Sequence, residues 1–196
     1  AGLPAPALLL LNDADHTYAK IRFDETSLDT VERRLTEIED ELTRAVIWTA
    51  LWNLTRDGEL AAVDYVGGVV KHEAYETNTT LLATACANAN FAIAHYIADA
   101  ELEQARTDYA EAIWGHLAEA EPASDAQLVL ARAAIRALVA TPEESGTERL
   151  RALLNGEVAG LRMDPEIRWS ILRALAARDA ITLAELEKEK RRDNTL

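Results

Sequence analysis

The sequence predicts an all-α fold, a right-handed superhelical stack of antiparallel helix pairs with a short β-hairpin at the N-terminus, and three observations carry that expectation. Ala, Leu, Glu and Arg dominate a chain of 196 residues that holds only 8 Gly and 5 Pro, a bias toward residues that lose little on entering a helix. From Ser27 onward the apolar residues recur at helical spacing. The links between these periodic segments are short, which makes consecutive helices antiparallel neighbours, and about nine helices favour a stack over a bundle. No repeat is strict enough for a tetratricopeptide or ankyrin array, so any repetition is structural.

Residues 1–25 differ from the rest. Residues 8–11 are apolar, Asn12-Asp13-Ala14-Asp15 reads as a turn, and Thr17, Ala19, Ile21 and Phe23 alternate with Tyr18, Lys20 and Arg22. Period-two alternation about a turn is the pattern of a hairpin. Since a lone hairpin is marginal in water, the two strands are expected to belong to a sheet lying upstream.

Residues 26–196 are read as one helical domain. Helices are expected near 27–36, 39–55, 60–75, 78–97, 99–120, 124–140, 145–155, 165–178 and 182–192, each boundary good to about 2–4 residues. Ser124 and Gln127 form a capping box ahead of Leu128, Ala131, Ile135 and Leu138. Thr182 and Glu185 form another, and Asp164 followed by Pro165 is an N-cap with proline in the first turn. Leu102, Ala105, Tyr109, Ala112 and Leu117 stripe a further helix. Gly58 and Gly156 stand where helices should stop.

Composition narrows the function. A formal charge of −14 repels phosphate backbones and anionic lipid, so neither nucleic acid nor membrane is an expected partner. The apolar run at residues 7–11 is too short to span a bilayer and follows no basic residues, so it reads as neither anchor nor signal peptide. Cys86 is the single cysteine; a cytoplasmic, reducing location is expected, and the sequons at Asn53 and Asn78 are taken as chance.

The search for chemistry finds no centre. His72-Glu73-Ala74-Tyr75-Glu76 approaches the zinc motif His-Glu-x-x-His, which stacks two imidazoles on one helix face, but Glu76 replaces the second His. It reads as a solvated helix end. His16, His95 and His116 are scattered and read as surface or cap residues. Asp13, Asp15, Thr17 and Asp24 fall at calcium-loop positions, but Tyr18 sits where the loop needs Gly. No phosphate loop or nucleophile elbow occurs, and Cys86, inside a small, apolar helix, reads as packed. Trp48 and Trp52, four apart on a helix whose other side offers Glu39, Glu41, Thr43 and Arg44 to solvent or polar partners, read with Trp169 as inter-helix core. The basic tail at 188–192 suits a solvated helix C-terminus. The sequence assigns no catalytic residue and no metal ligand, and singles out no substrate-binding residue.

Five ordered blocks resemble a known family. They are the stretch Leu11-Asn12-Asp13-Ala14-Asp15-His16-Thr17-Tyr18-Ala19-Lys20-Ile21-Arg22-Phe23-Asp24, then Arg44-Ala45-Val46-Ile47-Trp48, Leu54-Thr55-Arg56-Asp57-Gly58-Glu59-Leu60, Ala123-Ser124-Asp125-Ala126-Gln127-Leu128, and Met163-Asp164-Pro165-Glu166-Ile167-Arg168-Trp169-Ser170-Ile171-Leu172. Together they resemble the C-terminal helical domain of aminopeptidase N, in its actinobacterial form, with the endoplasmic reticulum aminopeptidases as relatives. The resemblance implies a zinc metallopeptidase releasing N-terminal amino acids from peptides. It also implies that the zinc helix, the distal Glu ligand and the Gly-x-Met-Glu-Asn segment lie upstream, and none of them occurs in this chain. The helical domain of that family curves over the active site and encloses a chamber open to peptides, and it usually continues beyond the segment resembling Arg192-Asp193-Asn194. The chain is therefore expected to be a non-catalytic piece of a longer enzyme, holding no cofactor of its own, with the upstream catalytic domain and peptide substrates as partners. The alternative is a free-standing helical-repeat adaptor that grips another protein.

Overall fold

The computed structural model describes residues 4, 6–141 and 144–193; the outermost residues of both expected segments lie outside the described residues. Among these it forms nine α-helices: α1 (Glu25–Arg34), α2 (Glu41–Arg56), α3 (Ala62–His72), α4 (Thr79–His95), α5 (Asp99–Glu119), α6 (Asp125–Ala140), α7 (Glu144–Asn155), α8 (Pro165–Ala177) and α9 (Leu183–Arg192). Each lies within a few residues of its expected span. The chain divides into two compact units, Ala1–Ile97 and Ala98–Leu196.

Helix starts follow the capping residues. Asp24, Asp40, Asn78, Ser124, Asp164 and Thr182 each accept a backbone N–H of the first turn, satisfying donors that a helix leaves open. Thr182 and Glu185 make the complete reciprocal box. At Ser124 the box is altered: Gln127 Oε1 accepts from Ala123 N at 2.9 Å, and Gln127 Nε2 donates to Ala159 O at 2.9 Å. Gly58 and Gly156 end α2 and α7 with φ of +76°. In both, the next N–H bonds five residues back, Glu59 to Leu54 O at 2.8 Å and Glu157 to Ala152 O at 3.0 Å, the Schellman closure that favours glycine.

The expected β-hairpin is absent: no described residue is in a strand. Of the alternating residues Ile21 is buried and Phe23 half-buried, while Thr17 and Ala19 are exposed. Ile21, with Leu10 and Phe23 against it, packs on Val46 and Ala50 of α2, while Lys20 Nζ and Arg22 Nη2 reach Asp57 at 2.8 and 3.0 Å. Residues 7–11 instead follow α1, with Leu9 N donating to Ser27 Oγ at 2.9 Å and Thr30 Oγ1 donating to Ala7 O at 2.6 Å. Leu10 and Ile21 thus meet through side chains on α2, while the backbone of residues 7–9 bonds to α1 and not to the opposite arm as a strand would. Between the two arms the Asn12 carboxamide takes the place of a strand partner, accepting from Thr17 N at 2.7 Å and donating to Thr17 O at 2.8 Å.

In the first unit, Ile47, Trp48, Leu51 and Leu54 of α2 join Tyr65, Val66 and Val69 of α3 and Leu82, Ala85 and Ala89 of α4 as buried core. Arg44, expected on the side of α2 away from Trp48 and Trp52, instead shares the buried stripe of Trp48, Leu51 and Thr55. Arg44 is buried, and all five of its N–H donors are used. Nε and Nη2 grip Glu76 at 3.0 and 2.8 Å, Nη1 donates to Ile38 O and Glu39 O at 2.8 and 2.9 Å, and Nη2 also reaches Thr77 Oγ1 at 3.2 Å. The pair ties the start of α2 to the chain entering α4.

In the second unit, α6 packs most extensively on α5 and also on α7 and α8, and its Ala131, Ala133, Ala134 and Ala137 are buried among them. Leu150 and Leu153 of α7 and Ile167, Ile171, Leu172 and Leu175 of α8 complete the core. The last helix differs: its buried residue is Glu189. Arg168 holds that carboxylate at 2.6 and 2.7 Å, Arg151 reaches Glu185 at 2.5 Å, and Trp169 Nε1 donates to Asp193 at 2.7 Å.

Removing one member of a buried pair strands the other charge, at about 3–5 kcal/mol. Arg44→Met and Glu76→Leu are therefore each expected to lose that much in urea denaturation, and the double variant to recover most of it. Burial pushes the Glu76 carboxyl up, but Arg44 and the Asn78 N–H hold it below its ordinary range. With the folded value depressed, the contribution is complete above the ordinary carboxylate pKa of about 4.3 and is lost as pH falls through the lower folded value. Stability should fall on acidification through that window, and less steeply in Glu76→Leu.

Candidate functional site

The segment that looked most like a metal motif, at the end of α3, is neither a metal site nor a solvated end. His72, Glu73 and Glu76 are 4%, 1% and 9% exposed. A 3-10 turn at Glu73–Tyr75 follows α3 directly, and Glu76 N closes on Glu73 O at 3.0 Å, which turns both carboxylates inward. Each group then meets a different partner. His72 Nε2 lies 2.7 Å from Glu32 O, Glu73 Oε2 accepts from Cys86 Sγ at 3.3 Å, and Glu76 is held by Arg44. Among the described residues no three His, Cys, Asp or Glu side chains converge as a metal site would need.

His72 has a definite tautomer, because a carbonyl oxygen only accepts and Nε2 must therefore carry the hydrogen. Burial lowers its pKa, against a smaller upward pull from the Glu32 carbonyl. The ring is neutral at physiological pH.

His72 stands at one side of a cleft in the first unit, of about 440 Å³. Its apolar walls are Leu28, Val31 and Leu35 with Trp48, Leu51 and Val63, and the exposed Glu32, Asp64 and Lys71 supply its charge. The third wall is bare backbone. Gly67 and Gly68 are interior to α3, and a Cβ built on either would meet nothing within 4 Å. Elsewhere close packing requires glycine: a Cβ on Gly146 would fall 2.7 Å from Thr141 Oγ1 and 2.9 Å from Leu138 O. Gly115 of α5 is open too, but singly.

The tryptophans divide. Trp48 is buried at 6% exposure, as expected for core. Trp52 and Trp169 are only half-buried, a correction to the core reading. Trp52 sits among Tyr65, Phe91 and Tyr96, with ring centroids 5.3 to 6.0 Å away, and Phe91 and Tyr96 are exposed. Trp114 carries the Arg149 guanidinium 5.4 Å from its ring centre. Among the histidines, His16 is exposed, His95 stacks on Phe91 with centroids 4.3 Å apart, and His116 is half-buried in α5. The supposed calcium loop is dispersed, since Asp24 caps α1 through Ser27 N at 2.8 Å. Cys86 is buried as expected, but its Glu73 partner carried no signal in the sequence.

Comparison with known proteins adds two findings. The family model described as "ERAP1-like C-terminal domain" matches residues 8–196. A protein named aminopeptidase N from Streptomyces lividans is 39% identical over 196 residues, covering 99% of this chain. The chain spans 22% of that relative's length.

A glycine interior to a helix costs about 0.5–1 kcal/mol relative to alanine. With open space at both positions, Gly67→Ala and Gly68→Ala are each expected to raise the stability of the chain by about that much in urea denaturation. Trp48→Ala should cost about 3–5 kcal/mol, with clearly smaller losses for Trp52→Ala and Trp169→Ala.

Proposed function

The chain belongs to the ERAP1-like C-terminal domain family, and on that premise we propose that it is a non-catalytic C-terminal domain of a zinc-dependent aminopeptidase that controls how peptides reach the active site. The observation that carries the proposal is the match along residues 8–196, together with a relative named aminopeptidase N of which this chain corresponds to 22%. A domain-sized share of that kind suits a helical module attached to a catalytic part encoded elsewhere in the same polypeptide. Zinc would be held, and would activate water, in that upstream part.

The contribution of this chain is then shape and charge. Helices stacked in succession make a wall that admits an extended peptide and excludes a folded protein. The formal charge of −14 draws the α-ammonium and basic side chains of peptides toward that wall. The polar side chains buried in the first unit serve structure: Arg44 and Glu76 bind each other, His72 donates to the Glu32 carbonyl of α1, and Glu73 accepts from Cys86 of α4.

The purified chain is expected to retain no stoichiometric zinc after dialysis and to leave aminoacyl-p-nitroanilides intact. Retention of one zinc per chain, with turnover that a chelator abolishes and added zinc restores, would make it an independent enzyme and overturn the proposal.

A further inference from the structure

The cleft against α3 has no part in the function proposed above and stands on different observations. Two adjacent glycines inside a helix weaken it, and among the described residues nothing approaches closely enough to require them. Bare helix backbone is useful where something else must come close. The cleft, about 440 Å³, lies within the roughly 300–1,000 Å³ typical of small-molecule sites. Its apolar walls from α1 and α2 face that backbone. At its exposed edge stand two carboxylates, Glu32 and Asp64, against one ammonium, Lys71, on a chain of formal charge −14. His72, which donates through Nε2 to Glu32 O, adds a polar edge without adding positive charge.

We propose that the cleft bounded by α1, α2 and α3 binds a small aromatic or branched apolar amine, its hydrocarbon body against the bare backbone of Gly67 and Gly68 and its ammonium toward Glu32 and Asp64. The apolar body supplies the affinity by leaving water. The carboxylates select the charge, since an anion of the same shape meets them and the field of the whole chain. No covalent step is involved.

The test uses three probes of one shape, 3-phenylpropylamine, 3-phenylpropanol and 3-phenylpropionate, titrated into the ¹⁵N-labelled chain. The amine is expected to shift the Gly67 and Gly68 amide signals saturably and to bind at least about ten-fold more tightly than the propionate, a ratio set by one favourable charge interaction. Gly68→Leu, which fills the cleft, should abolish the shifts while the remaining spectrum stays dispersed; Gly67→Leu serves as a second filling variant. Asp64→Asn should weaken the amine and leave the alcohol unchanged. The proposal fails if no saturable shift appears up to the solubility limit, or if the shifts centre on Phe91 and Tyr96. It fails equally if the propionate binds as well as the amine, or if both filling variants bind normally. Binding to the chain alone reads this site directly, so failure here leaves the peptidase reading untouched, and a zinc-bearing chain would leave this proposal untouched.

Discussion

Every helix ends in carbonyl groups with no partner in the next turn, and the rest of this structure depends on how those ends are closed. Glycine closures end α2 and α7, and where the short links leave carbonyls open at α6, α7 and the segments beside α8 and α2, arginines from other segments supply donors. Arg178, just past α8, donates through Nη1 to Leu138 O, Val139 O and Thr141 O at 3.0, 3.1 and 2.7 Å, closing α6. Arg168 of α8 reaches Leu154 O in the last turn of α7, while Arg151 of α7 reaches Ala180 O beyond α8. Arg44 serves the carbonyls of Ile38 and Glu39 before α2. Each of these arginines joins two elements far apart in sequence, so one side chain closes a chain segment and fixes the packing of its neighbour. A lysine could replace the charge but not the planar fork that makes several such bonds at once.

That device explains which parts of the fold were legible in the sequence. Helix spans were, because period and capping are local: Asp164 with Pro165, Thr182 with Glu185, and the glycines after α2 and α7 mark ends without reference to anything distant. The hairpin was misread for a related reason. Alternation at residues 17–23 says nothing of what covers it, and here only Ile21 and Phe23 are covered, by α2 rather than by a strand, while Thr17 and Ala19 stay exposed. The buried polar cluster was also missed, though one clue was present. Arg44 shares the helical stripe of Trp48, Leu51 and Thr55, and a charge on an apolar stripe demands a partner. Its partner Glu76 lies 32 residues away, beyond any pattern of spacing.

The candidate site shows the same division. A helix ending His-Glu-x-x-Glu looks like broken chemistry in one dimension. In three it is structural, with imidazole, carboxylates and thiol each engaged elsewhere. The cleft beside it was invisible, because adjacent glycines in a helix read as mere flexibility until the space around them is known. Stability is given up at Gly67 and Gly68 with no close contact among the described residues in return, the pattern expected where a surface is kept for something outside the chain.

The functional account assigns this family member no chemistry of its own and makes it a selector for chemistry done elsewhere in the polypeptide. The most direct measurement compares the longer enzyme carrying this domain with a version lacking it, reading kcat/KM for a single aminoacyl anilide and for a long unfolded polypeptide, with zinc content as the folding control. The account predicts that removal leaves zinc content and anilide turnover nearly unchanged while the discrimination against long chains collapses. A proportional loss on both substrates, or an unaltered preference between them, would contradict it.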